Sequence, residues 1–285
     1  MLRVSALYVY PVKSCRGFAV DSAGVDARGL VGDRRFMVVG ASGQFLTQRT
    51  HPRMALIDTD LTASSLVLSA AGHGSVSVPL SGARPPVSAT KVTVWKDTVT
   101  ADDCGDEPAK WLSAFLGMPC RLVHAGPGYA RPIPERKIPR SFAVPAGETP
   151  PSDLPRSSAH EVSFADAFPF LVISEASLAD LNARLDTPLP MNRFRPNLVV
   201  SGAAPYAEDE WGRFRIGGVV FHGATRCGRC VVTTTDQLTG ERAPEPLRTL
   251  ATYRLDPDGT VMFGRNLIHE TKTGRLAVGD ALELL

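Results

Sequence analysis

The chain has 285 residues, 44% of them hydrophobic and 21% charged, with a formal net charge of +2. This is globular composition, long enough for one large or two modest domains, and it excludes selection of a nucleic acid by bulk charge. Five cysteines do not make a disulfide-dense scaffold, no apolar run reaches the roughly 18 residues of a membrane span, and Met1 to Cys15 lacks a signal-peptide pattern, so a reducing cytoplasm is expected.

Short β-rich segments dominate the first 125 residues. Val4–Val9 is the first. Arg35–Val39 leads through Gly40-Ala41-Ser42-Gly43, a hairpin turn, into Gln44–Gln48. Ala55–Leu61, Ser65–Ser69 and Ser75–Val78 follow, and Lys91–Trp95 and Thr98–Ala101 flank a turn at Lys96-Asp97. This spacing predicts a closed or nearly closed β structure. One helix interrupts it, from Asp106 to Phe115. Trp111, Leu112 and Phe115 share one side, Asp106 and Glu107 occupy the first turn, and Gly117 is the stop.

From Gly126 to Pro155 the chain carries eight prolines, together with Arg131, Arg136, Lys137 and Arg140. Proline at this density excludes helix interiors and central strands, so a long, partly extended connection is expected. Its basic residues form a candidate docking surface.

The second half opens with a strand at Phe170–Ile173. Ser174 then caps a helix whose buried stripe is Leu178, Leu181 and Leu185 and which ends at Thr187 to Pro190. Strands are expected at Asn197–Ser201, at Trp211–Ile216 and Val219–His222 around Gly217-Gly218, and at Cys230–Thr235. Leu250–Leu255 and Val261–Phe263 flank the turn Asp256-Pro257-Asp258-Gly259, and Leu276–Leu284 completes the set. The chain therefore reads as mainly β with a few helices (α+β). A β-barrel-like domain over 1–125 is followed by a Pro-rich connection over 126–160 and a second β-barrel domain over 161–285.

Chemistry concentrates at Thr225-Arg226-Cys227-Gly228-Arg229-Cys230. A lone Cys-x-x-Cys admits several readings. Structural zinc needs four ligands, and no second pair or His-x-x-x-His is present. A thioredoxin-like couple needs the motif to open a helix, whereas Cys230 leads into a β-branched run. Two small buried residues at a barrel rim is the plainest reading. The remaining one is a thiolate ligand for a soft metal, with Arg226 and Arg229 favouring the thiolate and an anionic group beside it.

Several segments in order carry a resemblance over nearly the whole chain. They are Tyr10-Pro11-Val12-Lys13-Ser14-Cys15-Arg16-Gly17, Gly32-Asp33-Arg34-Arg35-Phe36, Phe45-Leu46-Thr47-Gln48-Arg49, Ser174-Glu175-Ala176-Ser177-Leu178, Asn192-Arg193-Phe194-Arg195-Pro196-Asn197 and Arg229-Cys230-Val231-Val232-Thr233-Thr234. Glu245-Pro246-Leu247 and Phe263-Gly264-Arg265-Asn266 close the set. In these the chain resembles MOSC-domain proteins that carry an N-terminal MOSC β-barrel domain, in particular the branch of the mitochondrial amidoxime-reducing component and its bacterial relatives.

That resemblance implies a molybdenum cofactor, a pyranopterin dithiolene whose metal also takes one protein cysteine, matched here by Cys230. It implies cofactor contacts from Lys13, Ser14 and Arg34 in the first domain and from Ser174, Arg195, Asn197 and Arg229 in the second. Pro196 is expected to hold Arg195 extended. The implied reaction is reduction of N-hydroxylated compounds such as hydroxylamines and amidoximes. Electrons would come from a separate iron–sulfur, haem or flavin protein; pyridoxal phosphate, nucleic acid and a membrane span are not expected. The alternative is a cofactor carrier or sulfur-transfer module without turnover.

Overall fold

The computed structural model describes residues 1–80, 88–139 and 160–285. The first strands are β1 (Arg3–Val9), β2 (Phe18–Val20), β3 (Ser22–Asp26), β4 (Gly29–Leu30) and β5 (Phe36–Gly40). After them come β6 (Asp58–Leu61), β7 (Ser65–Ala70), β8 (Gly74–Pro79), β9 (Ala89–Val94), β10 (Asp97–Asp103), helix α1 (Asp106–Leu116) and β11 (Cys120–His124). The second half supplies β12 (Phe170–Ser174), α2 (Glu175–Asn182), β13 (Leu198–Ser201), β14 (Arg213–Ile216) and β15 (Val219–Gly228). It ends with α3 (Leu247–Leu250), β16 (Met262–His269), β17 (Gly274–Ala277) and β18 (Leu282–Leu284).

The protein is mainly β, as expected, but among the described residues its strands form four open sheets and not closed barrels. The largest has eight strands in the order β18-β14-β15-β16-β12-β13-β1-β2. Strand pairing thus crosses the expected boundary near residue 125. The first strand lies antiparallel to β13, and β3 pairs with β17. A bulge between Val4 and Ala6 shifts the alternation of β1, so Val4, Leu7 and Val9 all reach the core. In the centre β12 runs parallel to β13 through α2, and all five of its residues are buried, as a strand covered on both faces requires.

Helix α1 matches its expected span. Leu112 and Phe115 enter a core with Leu66, Leu68, Val76 and Leu122. Below the site, Phe170 meets Phe221 edge to face at 5.1 Å and Phe214 stacks on Phe221 at 5.5 Å. No helix among the described residues is long and apolar enough to cross a membrane.

Several expected elements differ. The helix after Ser174 ends at Asn182, short of Thr187, and of its expected stripe only Leu181 is fully buried. Ala55–Leu61 begins in the 3-10 turn Pro52–Leu56 and is a strand only over Asp58–Leu61. Gln44–Gln48 makes only isolated bridges, Gln44 to Thr93 and Phe45 to Val39. In place of a strand at Leu250–Leu255 the chain forms α3 and a turn, with Leu255 bridging Val261. Cys230–Thr235 is not a strand either: β15 stops at Gly228 and Val231–Thr234 is one 3-10 turn. The β-branched run is diverted because the Thr233 and Thr234 hydroxyls donate to the carbonyls of Cys230 and Val231, at 2.9 and 2.8 Å. Of the expected Pro-rich connection, residues 140–159 lie outside the described residues. Arg140 is among them.

Candidate functional site, a cationic cavity at Cys230

A cavity of about 410 Å³ opens where the loop after β1, the approach to β5, the turn before β13 and the end of β15 meet. It is lined by Lys13, Ser14, Arg34, Arg195, Asn197, Arg229 and Cys230. Seven of the eight residues singled out from sequence therefore converge from four segments. Ser174 is not among the lining residues. It is fully buried as the cap of α2, its hydroxyl accepting from the Ser177 amide at 3.1 Å and its own amide donating to Glu208 at 3.1 Å. A hydroxyl used in this way is turned into the helix terminus, away from the cavity.

The lining loops hold their side chains by backbone geometry that L-residues rarely adopt. Ser14, Arg34 and Arg195 have φ of 67°, 48° and 55°, three of the five positive-φ non-glycine residues described. Arg195 is thus left-handed, not extended as Pro196 suggested. Its amide closes the Met191–Phe194 turn on Asn192, its carbonyl accepts from Arg34 at 3.1 Å, and its guanidinium donates to the Cys15 carbonyl at 2.7 Å. These bonds override the local preference before proline. Arg34 and Arg35 both precede β5, so strand alternation does not separate them. Arg34 turns to the cavity and Arg35 pairs with Asp26 at 2.6 Å.

Asn197, 1% exposed, is the hinge of this arrangement. Its side-chain oxygen accepts from Arg34 at 3.1 Å and from the Leu171 amide at 3.3 Å, and its amide donates to the Tyr8 carbonyl at 3.2 Å. Lys13 is buried and donates to the Phe164 carbonyl at 2.8 Å and to Asp166. Burial pushes the Lys13 ammonium down, against the pull of Asp166. Burial works to raise the Asp166 carboxyl, but Lys13 and Arg49 hold it well below the usual range.

Around Cys230 the charge is positive and partly unspent. Seven lysine or arginine side chains line the cavity against one carboxylate, Asp166. Arg226 pairs with Asp256. Arg229 donates to the Cys227 sulfur at 2.9 Å and to the Phe194 carbonyl at 2.7 Å, while its Nε is buried without a partner. Neither Arg195 nor Arg229 has a carboxylate partner among the described residues. Burial, with Arg34 adding to it, pushes Arg195 down to about 10. A buried cation without a counter-ion is costly, and an anionic ligand rich in acceptors relieves it.

All five cysteines are free thiols, so Cys227 and Cys230 are not joined. No group of three or more His, Cys, Asp or Glu among the described residues is placed to hold a metal ion. A metal at Cys230 therefore needs most of its ligands from elsewhere, which fits a cofactor that brings its own sulfurs and oxygens and does not fit structural zinc.

Thr47, Arg49, Asp166, Phe168 and Asn266 also line the cavity and were not singled out from sequence. Thr47, Arg49 and Asn266 lie inside segments that carried the resemblance, which was the available signal. Asp166 and Phe168 carried none. Of the basic connection, Arg131 and Lys137 are turned to other uses than an outer surface. Arg131 is buried and donates to the carbonyls of Ser163, Ala165 and Asp166, fastening the segment that carries Asp166, and Lys137 lines the cavity.

Fold and site together define a mainly β protein with a cationic cavity beside a free thiol. The MOSC N-terminal beta barrel domain matches residues 1–119 and the MOSC domain matches residues 159–283. The chain is 37% identical to mitochondrial amidoxime-reducing component 1 of Mus musculus over 296 aligned positions, covering 99% of this chain and 82% of that one. It is 36% identical to the Homo sapiens protein of the same name, with the same coverage. To the molybdenum cofactor sulfurase of Danio rerio it is 34% identical over 93% of this chain, spanning 32% of that protein. The chain belongs to the MOSC-domain family, in the two-domain form shared with the amidoxime-reducing components.

Proposed function

We propose that the protein is a molybdenum-cofactor-dependent reductase of N-hydroxylated compounds, supplied with electrons by a separate iron–sulfur, haem or flavin protein. The observation that carries this reading is the placing of Cys230 in a cavity whose arginines, Arg195 and Arg229, lack carboxylate partners. The names of the relatives support the substrate class. When bound, the cofactor supplies two-electron chemistry, which takes an N–OH group to N–H with uptake of two protons and loss of water.

The chain's own part is to bind and orient. Cys230 is the metal ligand. Lys13, Ser14, Arg34, Arg195 and Arg229 supply cationic and hydroxyl donors for the phosphate and pterin. The Asn197 side chain is engaged with protein at both its oxygen and its nitrogen, so its role is to hold Arg34 and the two strands beside it. Phe168, Phe170 and Phe194 form an apolar wall that limits water and gives an organic substrate a surface to lie on. Ser174 acts through the helix terminus.

The alternative, a cofactor carrier or sulfur-transfer module, draws on the likeness to the sulfurase. Two measurements separate the readings. Protein purified from cells that make the cofactor should hold stoichiometric molybdenum and pterin, and should reduce benzamidoxime with a chemical electron donor. Absence of metal and pterin overturns the reductase; cofactor without turnover supports the carrier.

A further inference from the structure

Tyr10 sits behind the cavity and is not one of its lining residues. The guanidinium carbons of Arg34 and Arg195 each lie 4.3 Å from the centre of its ring. The ring is 2% exposed, and its hydroxyl, buried, has no hydrogen-bond partner. We propose that Tyr10 is a positioning residue for anion binding: its aromatic ring holds both the Arg34 and the Arg195 guanidinium in place, so that both present donors to one anionic group in the cavity. This rests on the reading of the cavity as an anion site.

Two guanidinium groups sharing one ring repel each other. Arg34 has Asp33 at 2.6 Å to offset its charge, whereas Arg195 has only the Cys15 carbonyl and the ring. The negative face of an aromatic ring attracts a cation without consuming its N–H donors, so the donors remain available to a ligand. A carboxylate in the same place would neutralise the arginines and compete with an anion.

The ring is itself fixed. The Tyr10 amide donates to Asp33 at 2.9 Å and its carbonyl accepts from the Arg34 amide at 2.8 Å. The ring lies against Gly17, where an added Cβ would fall well inside van der Waals contact with the ring carbons. Two left-handed residues from distant segments thus converge on one immobile ring. The unpartnered hydroxyl sets this role apart from hydrogen bonding: the face of the ring, and not its oxygen, makes the contacts.

The test uses the full chain made in cells that lack the cofactor, titrated with inorganic phosphate and followed by phosphorus NMR, with thermal unfolding as the control for folding. Tyr10→Phe should bind as the wild type does. Tyr10→Met fills similar space without a π face and should weaken binding on the order of tenfold. Pentafluorophenylalanine at position 10 keeps the shape but reverses the ring's quadrupole, and should weaken binding similarly even if the Met variant fails to fold. Adding Arg195→Gln to the weakened variant should cost little more than Arg195→Gln alone, because both changes remove the same interaction. Unchanged phosphate affinity in the fluorinated variant, fully additive losses, or a wild type that binds no phosphate would overturn the proposal. Intact phosphate binding by a native protein that carries no molybdenum or pterin would instead overturn the reductase reading and leave the role of Tyr10 standing.

Discussion

The Arg34 guanidinium donates to the side-chain oxygen of Asn197 at 3.1 Å, joining residues 163 positions apart. The same asparagine accepts from Leu171 in β12 and donates to Tyr8 in β1. One buried amide therefore ties the cavity wall to two strands of the large sheet. Asn197→Ala takes the side-chain partner from the Leu171 amide and the Tyr8 carbonyl and one of several bonds from Arg34, and should destabilise the fold by about 2–4 kcal/mol in urea unfolding. A loss below about 0.5 kcal/mol, the range of neutral surface changes, contradicts this role.

The two cysteines of the motif should behave unequally. Cys230→Ser is expected to lower benzamidoxime reduction by more than about a hundredfold while the unfolding midpoint stays put. Cys227→Ser should stay within about threefold, since the sulfur's contact is with Arg229, which keeps its bond to Phe194. Equal losses in a steady-state assay would restore the redox-couple reading.

Gly17→Ala should be harmful out of proportion to one methyl group. The added carbon would meet the Tyr10 ring and, at 2.5 Å, the Val9 carbonyl, a backbone group. A loss of roughly 1–3 kcal/mol is expected from overpacking, with weaker phosphate binding as the ring is displaced. Calorimetry and the phosphate titration check both parts.

Stability should depend on pH through buried histidines. Burial, reinforced by Lys272, pushes His269 from 6.5 down to about 3 and His160 down to about 4. Both are neutral in the native protein near pH 6, whereas the unfolded chain takes up protons below about 6.5. Their contribution is therefore full above that value and is lost as pH falls through about 4 for His160 and about 3 for His269, at up to about 1.4 kcal/mol per pH unit for each histidine. Urea midpoints at about pH 7.5 and about pH 5 measure the slope, and a flat profile refutes it.

Much of the site was legible because its chemistry is local. Lys13, Ser14, Arg34, Arg195 and Cys230 stand in short segments whose order signals the family, and helix α1 announces itself by its acidic first turn and Gly117. What stayed hidden depended on partners elsewhere in the chain. Val231–Thr234 has strand-forming residues, yet side-chain bonds to the backbone bend it. Pro196 argues for an extended Arg195, yet contacts with Cys15 and Arg34 hold it left-handed. Ser174 carries signals for both a cap and a ligand, and only the position of Glu208 decides between them. Asp166 sits in no recognisable pattern; its place at the cavity is set by Arg131, which no spacing rule connects to it.

The pairing of β1 with β13 bears on how the protein is made. Arg3 is opposite Ser201 and Leu7 opposite Leu198. During synthesis the first strand leaves the ribosome long before its neighbour exists, and the loop carrying Lys13 and Ser14 waits with it. The β1–β13 pairing is therefore a late product of folding, possible only after about 200 residues have emerged, the cavity closes later still when Cys230 follows, and the interval leaves an apolar strand with one bare edge. A chaperone that shelters that edge until β13 arrives would raise the yield of competent protein without touching the finished site.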